Sequence, residues 1–414
     1  MAAMRRAAVI GAGAVGIATG LYLRRDGWQV TVIDPEAPGE KASGGNAGLF
    51  ALAHVTPVAM PGTLGRVPSM LLDPEAALQI RWRHLPKLLP WLARFVRAST
   101  PAQVEKISQA LADLLKGAFE AYTPLVQAAG ATELIRRQGY LVAMASEQAL
   151  RAARAELDLK RRRGLRFEIL QGGEIRQLVP ALAEAIKAGV FYPDVGHTVD
   201  AKRLVKALAE DLARGGASLR RARALGFDIG NDGVRAVVTD RGVVAADLVV
   251  VAAGAWSKPL AEALGSKVPL DTERGYHVTL PEAGIDPRLP VVSSELRFCV
   301  TPMAMGLRLG GTVELAGLDA PPDPTRHQVL LKHAKRLYPG LNPTGASYWM
   351  GHRPSLPDSL PVVGRAPRHA NAWLAFGHGH IGLTTAAITG RAIADQVAGR
   401  PPPFDLEPFR ADRF

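Results

Sequence analysis

The sequence predicts an α/β chain: a doubly wound, Rossmann-like, largely parallel sheet joined to an α+β body with a mixed sheet. Three observations predict it. A short apolar run ending Val9-Ile10 breaks into Gly11-Ala12-Gly13-Ala14-Val15-Gly16, the spacing Gly-x-Gly-x-x-Gly. A helical stretch from Ile17 to Arg25 stops at Gly27, and the β-branched run Trp28–Ile33 leads into Asp34. Far downstream, Leu248–Ala252 is wholly apolar and breaks at Gly254, as a buried strand does at the carboxyl edge of a parallel sheet.

Each part of the first unit has a chemical reason. Gly11 permits the tight strand-to-helix turn, Gly13 lets a pyrophosphate approach the backbone, and Gly16 lets helix and strand pack closely. The helix N-terminus, with Ala14 and Val15 in its first turn, offers free N–H groups and partial positive charge to a phosphate. Asp34 stands 18 residues beyond Gly16, where a carboxylate accepts bonds from both ribose hydroxyls. A dinucleotide is the expected ligand. Arg5 and Arg6 before seventeen uncharged residues resemble a targeting or membrane segment. The glycine spacings, the lack of a small-residue cleavage site and the βαβ continuation instead predict a cytoplasmic, non-spanning protein.

A chain of 414 residues, 48% of them hydrophobic, is expected to form two domains. The single cysteine, Cys299, excludes an internal disulfide framework or a cysteine-rich metal site and reads as a lone buried thiol; no metal is expected. The net charge of +12 fits nucleic acid, anionic membranes or acidic ligands, and no helix-turn-helix, zinc finger or aromatic RNA-binding signature supports nucleic acid. Lys160–Arg163 and Arg220, Arg221 and Arg223 read as solvated faces.

Residues 1–65, 189–265 and 351–414 are expected to form the dinucleotide domain, with a helix from Asp200 to Arg214 and strands around Leu219–Phe227, Val234–Thr239 and Leu248–Ala252. Residues 66–188 and 266–350 would form the second domain. It would hold helices Gln103–Ala129 and Glu147–Arg163 and strands Gly139–Ala145, Arg166–Leu170, Gly275–Leu280, Arg297–Thr301 and Arg308–Leu315. Pro401–Pro403 would begin an ordered surface tail.

Three further pieces separate the candidate nucleotides. Ser43-Gly44-Gly45-Asn46-Ala47-Gly48 follows the acid, Gly254-Ala255-Trp256-Ser257 ends the later strand, and Gly377-His378-Gly379-His380-Ile381-Gly382-Leu383-Thr384 opens the last helix. Together they resemble the D-amino-acid oxidase superfamily, and within it the D-amino-acid dehydrogenase branch, in order and over essentially the whole chain. The resemblance implies a nucleotide domain of the glutathione-reductase type that binds FAD. It lets the backbone of Ser43–Gly48 pass beside flavin and pyrophosphate, with Asn46 positioned to hydrogen-bond. Gly254 and Trp256 are further cofactor contacts, and the Gly377–Gly382 loop, with Leu383 and Thr384 behind it, would set a helix N-terminus at the flavin N1–C2=O edge. There the dipole would stabilise the negative charge of the reduced ring. The sarcosine-oxidase branch carries a cysteine near this loop where FAD is covalent; none stands here, so non-covalent FAD is expected.

Gly351–Gly364 resembles the family segment whose arginine, here Arg353, grips the substrate carboxylate, with His352 where leucine is more usual. A guanidinium suits that role because its planar fork binds carboxylate bidentately and stays charged; an arginine joining two domains is the alternative. Glu273-Arg274-Gly275-Tyr276-His277 resembles members acting on proline-like substrates. Tyr276 or His277 would line the pocket or orient the amine, or be ordinary strand residues. Arg308, before Gly310-Gly311-Thr312-Val313-Glu314, serves domain packing or binding.

The implied chemistry is hydride transfer from Cα of a D-amino or cyclic imino acid, D-proline and hydroxy-D-proline among them, to flavin N5. Residues 78–97 alternate basic and bulky apolar groups, which suits a membrane interface with access to quinone, or a lid or core helix. Three rivals remain: an oxygen-using glycine or sarcosine oxidase, an FAD-dependent RNA-modifying protein, and a non-catalytic flavin-bound subunit.

Overall fold

The structure, a computed structural model, describes residues 4–61, 65 and 73–414. Its central sheet has the spatial order Ser218–Arg221, Gln29–Asp34, Arg6–Ile10, Leu248–Val251, Ala372–Phe376 and Val362–Arg365; all neighbours are parallel except the last pair. The strands read as continuous apolar runs because both faces are buried. Ala7, Val9, Val30, Val32, Leu248 and Val250 face the helices Ala14–Arg25, Ala201–Arg214 and Gly382–Val397. Ala8, Ile10, Ile33, Val249 and Val251 face the opposite way, toward an antiparallel sheet of Ala224–Gly230, Gly233–Thr239 and Gly242–Ala245 and the helix Ser257–Ala263. Asp200 caps the helix Ala201–Arg214 by accepting the Arg203 N–H at 2.9 Å.

The mixed sheet is nine-stranded. At its heart Asp271–Leu280 pairs antiparallel with both Gly306–Leu315 and Ser347–Ser355. Phe298–Met303, Val291–Ser293, Tyr140–Met144, Ala188–Tyr192 and Glu168–Gln171 extend it outward from Gly306–Leu315. One face packs Tyr276, Val278, Val300 and Leu309 beneath the helix Thr325–Leu337. The other face looks at the Ser43–Gly48 loop.

Several expected boundaries move. Leu219–Phe227 is two strands, because the chain leaves the parallel sheet at Ala222 and joins the antiparallel one at Ala224. Gln103–Ala129 is two helices, Pro101–Lys116 and Ala118–Ala128, broken at Gly117, where an added Cβ would stand 2.7 Å from Ile388 of the last helix. Glu147–Arg163 breaks at Ala153. The strands Ala188–Tyr192 and Ser347–Ser355, which run across the seams expected at 189 and 351, both pair within the mixed sheet. The seam at 65–66 borders residues outside those described.

Residues 78–97 form the strand Leu78–Ile80, paired with Val313–Leu315, and the helix Leu85–Ala98, which buries Leu88 and Trp91 against Leu315. Among the described residues no helix is long and apolar enough to cross a membrane. The tail after Pro403 is anchored by Phe404 and Phe409, both buried and stacked edge-on at 5.2 Å.

The first and last helices of the nucleotide domain cross where Gly390 meets Ala18 and Thr19; a Cβ on Gly390 would stand 2.7 Å from their backbone. Gly390→Leu must push these helices apart and is expected to cost about 1–3 kcal/mol, read as a lower thermal midpoint. An unchanged midpoint would show that the crossing has slack.

Candidate active site

The nucleotide cradle is built from close approaches that only glycine permits. Gly11 has φ +116 and presses on the Ala252 carbonyl, and Gly16 lies directly on the Gly11 carbonyl, so a side chain at either would strike backbone. Gly13 is different: an added Cβ would meet only Ser43 Oγ, at 3.1 Å, leaving its backbone open to a ligand. The Ala14 N–H donates to Ser43 Oγ (3.0 Å), while those of Val15 and Gly16 have no acceptor within the helix. Asp34 accepts N–H bonds from Ala12 and Glu36, both 2.8 Å, and burial pushes its carboxyl pKa up. Each carboxylate oxygen keeps a lone pair for a ribose hydroxyl. The expected dinucleotide fits this cradle.

The Ser43–Gly48 loop is clamped by the mixed sheet. Arg308 Nη1 donates to the carbonyls of Gly44 (3.0 Å) and Asn46 (2.8 Å), and His277 Nδ1 donates to the Gly45 carbonyl (3.0 Å). That bond fixes the tautomer, because a carbonyl only accepts. Burial, then the Arg308 charge, pushes His277 down to about 3, so the ring is neutral with a lone pair on Nε2. It stacks flat on Trp349, centroids 4.9 Å apart. Asn46 spends its side-chain oxygen on the Gly48 N–H (2.8 Å), leaving its amide N–H groups for a ligand. Ala47 abuts Gly310, and Gly48 adopts φ +83 beneath Met303.

Arg353 projects from the same sheet face. Its guanidinium lies over Gly275, where a Cβ would collide with it, and directly across the strand pair the Trp349 indole lies over Gly351. A bulge sets Thr312 and Val313 opposite Gly275, with Thr312 at φ +53. Arg353 Nη1 donates to the Thr312 carbonyl (2.9 Å) and Nη2 to that of Gly311 (3.4 Å). Among the described residues no carboxylate comes within ion-pair distance of Arg353. Burial, opposed by the charge of Glu273, lowers its pKa from the ordinary value. Glu273 in turn accepts the Ser355 hydroxyl at 2.6 Å.

Tyr276 is not part of this site. Strand alternation turns it to the opposite face, where its hydroxyl donates to Glu314 (2.5 Å) and accepts the Asp323 N–H (2.9 Å). Burial, then Glu314, raises its pKa to about 12. The carboxylate of Glu314 also takes Arg81 (2.5 Å) and the fully buried Arg274 (3.5 Å).

The loop before the last helix closes the site. Gly377 (φ +84) and Gly379 (φ +52) supply its turns, and the Gly379 N–H donates to the Pro354 carbonyl at 2.8 Å, beside Arg353. The His378 side chain points inward, pairing with Thr389 Oγ1 (3.1 Å), and burial pushes it to about 3. Thr384 accepts the Ala51 N–H (2.9 Å), the Leu383 carbonyl accepts the Tyr122 hydroxyl (2.6 Å), and the Ile381 side chain is buried. The side chains of His378, Ile381 and Thr384 therefore serve the protein, and so does the Leu383 carbonyl; what the loop presents is backbone and His380. Gly382 begins the helix Gly382–Val397. Gly254 adopts φ +55 as the late strand turns, whereas Trp256 is 40% exposed and packs edge-on to His352, on the outer side of the anchor strand.

Glu273 and Ser355 join the site from within the Glu273–His277 and Gly351–Gly364 segments, though the sequence singles out neither, whereas His54 and Trp349 join it without a sequence motif to announce them. His54 is a lone polar interruption of an apolar run, and Trp349 an aromatic in a run of mixed polarity. Cys299 is buried with its S–H toward the Gly310 carbonyl (3.3 Å). Gly16→Val, which would drive a side chain into the Gly11 carbonyl, is expected to yield protein that purifies without flavin absorbance; a fully loaded variant would contradict the cradle.

Comparison with known proteins agrees with this geometry. Residues 6–396 match the family described as DAO, FAD dependent oxidoreductase. The chain is 40% identical to a D-amino-acid oxidase of Bradyrhizobium diazoefficiens, with 99% of each chain covered. It is 32% identical to D-amino acid dehydrogenase 2 of Mesorhizobium japonicum, covering 96% of this chain and 97% of that one. Its fold matches that of an L-proline dehydrogenase from P. horikoshii with a TM-score of 0.76, at 19% identity and over 99% and 98% of the two chains. A cradle for a dinucleotide, a clamped small-residue loop and a glycine-turned helix N-terminus thus come with a family match over nearly the whole chain: the protein belongs to the FAD-dependent oxidoreductases of the DAO family.

Proposed function

We propose that this chain is an FAD-dependent D-amino-acid dehydrogenase, oxidising a D-amino or cyclic imino acid at Cα. The observation that carries the reading is Arg353: a guanidinium on the cofactor-facing side of the sheet, held by two backbone carbonyls and lacking a carboxylate partner among the described residues. Burying a charge without a counter-ion is costly, and an anionic ligand in the cleft beside Arg353 would offset that cost. The names of the two relatives support the D configuration.

The cradle of Gly11, Gly13, Gly16 and Asp34, with Ser43–Gly48, is proposed to hold FAD. The backbone of Gly377–Gly382 is proposed to lie at the flavin edge. The link is non-covalent: the one thiol, Cys299, is occupied within the sheet. Bound FAD supplies the two-electron acceptor for the hydride leaving Cα. Arg353 holds the carboxylate and so fixes which hydrogen faces the flavin, and the neutral pair His277–Trp349 forms a flat wall beside it, suited to a compact ring such as D-proline or a hydroxy-D-proline. The resulting imine is hydrolysed to a 2-oxo acid, or stays cyclic.

Anaerobic bleaching of the flavin by paired D- and L-amino acids, including both prolines, tests this reading. Bleaching by D-forms is expected. Arg353→Ala is expected to weaken substrate by about 3 kcal/mol, near two orders of magnitude, through the loss of charge-assisted hydrogen bonds. Arg353→Lys should recover little, since an ammonium lacks the fork. Bleaching by L-forms alone, or unchanged affinity in Arg353→Ala, would refute it.

A quinone or other non-oxygen acceptor is proposed for the second half-reaction, with peripheral attachment to the cytoplasmic face of the membrane. The helix Leu85–Ala98 and the turn before it support this, exposing Trp82, Leu89 and Val96 among Arg83, Lys87, Arg94 and Arg97. The oxidase name of the 40% identical relative favours a second reading, direct use of oxygen. Stoichiometric peroxide in air would establish that second reading. Co-sedimentation with anionic vesicles at low salt is expected, each cation replaced among Lys87, Arg94 and Arg97 weakening it by about 1 kcal/mol. Equal binding to neutral vesicles would sink the electrostatic part.

A further inference from the structure

We propose that the imidazole pair His54–His380 is the proton acceptor for the substrate ammonium group, an inference that rests on the amino-acid reading above. The two rings come from distant parts of the chain, His54 from the segment after the strand Leu49–Phe50 and His380 from the loop before the last helix. His54 Nδ1 and His380 Nε2 stand 3.1 Å apart, the rings edge-to-face with centroids 5.0 Å apart. One proton lies between them, so one ring donates and the other accepts. The outer nitrogens, His54 Nε2 and His380 Nδ1, have no protein partner among the described residues.

Both rings line one cavity together with Thr56, Glu273, Ser355 and Gly379. His380 keeps open surface where it lines this cavity, and His54 is half-buried behind it. The charged groups around the pair come from every element packed on it. Arg353 faces His380 from the mixed sheet. Lys160 acts on His54 from its helix, itself paired to Glu156 at 2.9 Å. Glu273 lines the cavity with the Ser355 hydroxyl on its carboxylate. Burial, then Arg353, pushes His380 to about 4, and burial, then His380 and Lys160, pushes His54 well down. The pair is therefore uncharged at neutral pH, with one outer lone pair free to accept.

Substrate binding changes that balance in the useful direction. A carboxylate on Arg353 cancels part of the positive field at His380, so the pair becomes more basic as the ammonium arrives. The proton balance closes. The ammonium N–H passes its proton to one outer nitrogen, the shared proton moves to the second ring, and that ring releases its own outer N–H to water. Both rings end neutral with tautomers exchanged, and the substrate amine keeps the lone pair from which the Cα hydride is expelled.

The test uses the FAD-loaded enzyme and any D-amino acid that bleaches the wild type. In anaerobic rapid mixing, His380→Gln and His54→Gln keep a polar group but accept no proton. Each is expected to slow flavin reduction by about 10²-fold, the ordinary worth of a general base, with substrate affinity unchanged. Added imidazole should speed His380→Ala but not His380→Gln. Wild-type rates in either Gln variant, a loss confined to affinity, or no imidazole effect would overturn the assignment. If no D-amino acid bleaches the wild type, the functional reading fails, and the pair is tested by calorimetry with benzoate as an unreactive carboxylate. Binding near pH 5, measured in two buffers of different ionisation enthalpy, should take up protons in the wild type and not in His380→Gln. Equal uptake, or none in the wild type, would overturn the coupling of the pair to Arg353.

Discussion

Three consecutive peptide carbonyls, Gly44, Gly45 and Asn46, are satisfied by two side chains from the opposite sheet, and this interaction makes one site out of two bodies. In a loop of small residues only Ser43 and Asn46 bring polar side chains; these accept the Ala14 and Gly48 N–H groups, and neither donates to the loop's carbonyls. Its buried carbonyls demand donors, and an unsatisfied one costs about as much as a lost hydrogen bond. Arg308 supplies two bonds and His277 the third, so the position of the loop is dictated by strands far away in sequence. Arg308 achieves this with no carboxylate within ion-pair distance among the described residues, its charge spread over carbonyl dipoles, and burial lowers its pKa accordingly. Of the two roles considered for Arg308, these bonds supply the packing one.

The sheet carrying those donors does two jobs by strand alternation. On one face His277, Trp349, Arg353 and Arg308 look at the loop; on the other Tyr276, Arg274 and Glu314 are sealed beneath the helix Thr325–Leu337. The paired glycines Gly275 and Gly351 make the active face usable. Lying opposite each other in register, they leave a shallow floor over which the Arg353 guanidinium and the Trp349 indole lie flat. The bulge at Thr312–Val313 then turns two carbonyls toward Arg353. A left-handed backbone at a threonine is strained by roughly 1–3 kcal/mol, and such strain persists where the surroundings over-determine it. Here the ion it orients is Arg353, the guanidinium proposed to hold the substrate carboxylate.

The parts legible in the sequence were those where backbone chemistry demands a residue type. Gly11 and Gly16 announce themselves because a side chain at either would strike backbone, Gly13 and Asp34 through their spacing from them, and the Leu248–Val251 strand because burial on both faces leaves an unbroken apolar run. Arg353 was legible only through its resemblance to a family segment. His54, Trp349 and the partnership of Arg308 with the loop were not legible, since each depends on contacts across tens or hundreds of residues and has no local period. Tyr276 and His277 show the boundary clearly. Adjacent in one motif, they must face opposite ways, but which of them faces the cofactor follows from strand register, and register is set by pairing with Gly306–Leu315 and Ser347–Ser355. The break at Gly117 was hidden for the same reason: the glycine answers to Ile388, 271 residues away.

The electrostatics of the cleft follow from these placements. Two guanidinium groups, Arg308 and Arg353, stand beside three imidazoles, His54, His277 and His380, and burial together with the cationic field pushes all three rings to their neutral forms. A cleft of protonated imidazoles and arginines would bind carboxylate more tightly but would hold the substrate amine in its charged form by offering it no acceptor. Neutral imidazoles reverse that. They leave the positive charge concentrated on Arg353, the proposed carboxylate anchor, and put lone pairs where the proposed proton transfer needs them. Protein-wide charge of +12 gives no hint of this division. It arises because the arginines stay charged wherever they are buried while histidines yield, so the same desolvation that costs the site stability also sorts its side chains into one fixed cation and several acceptors.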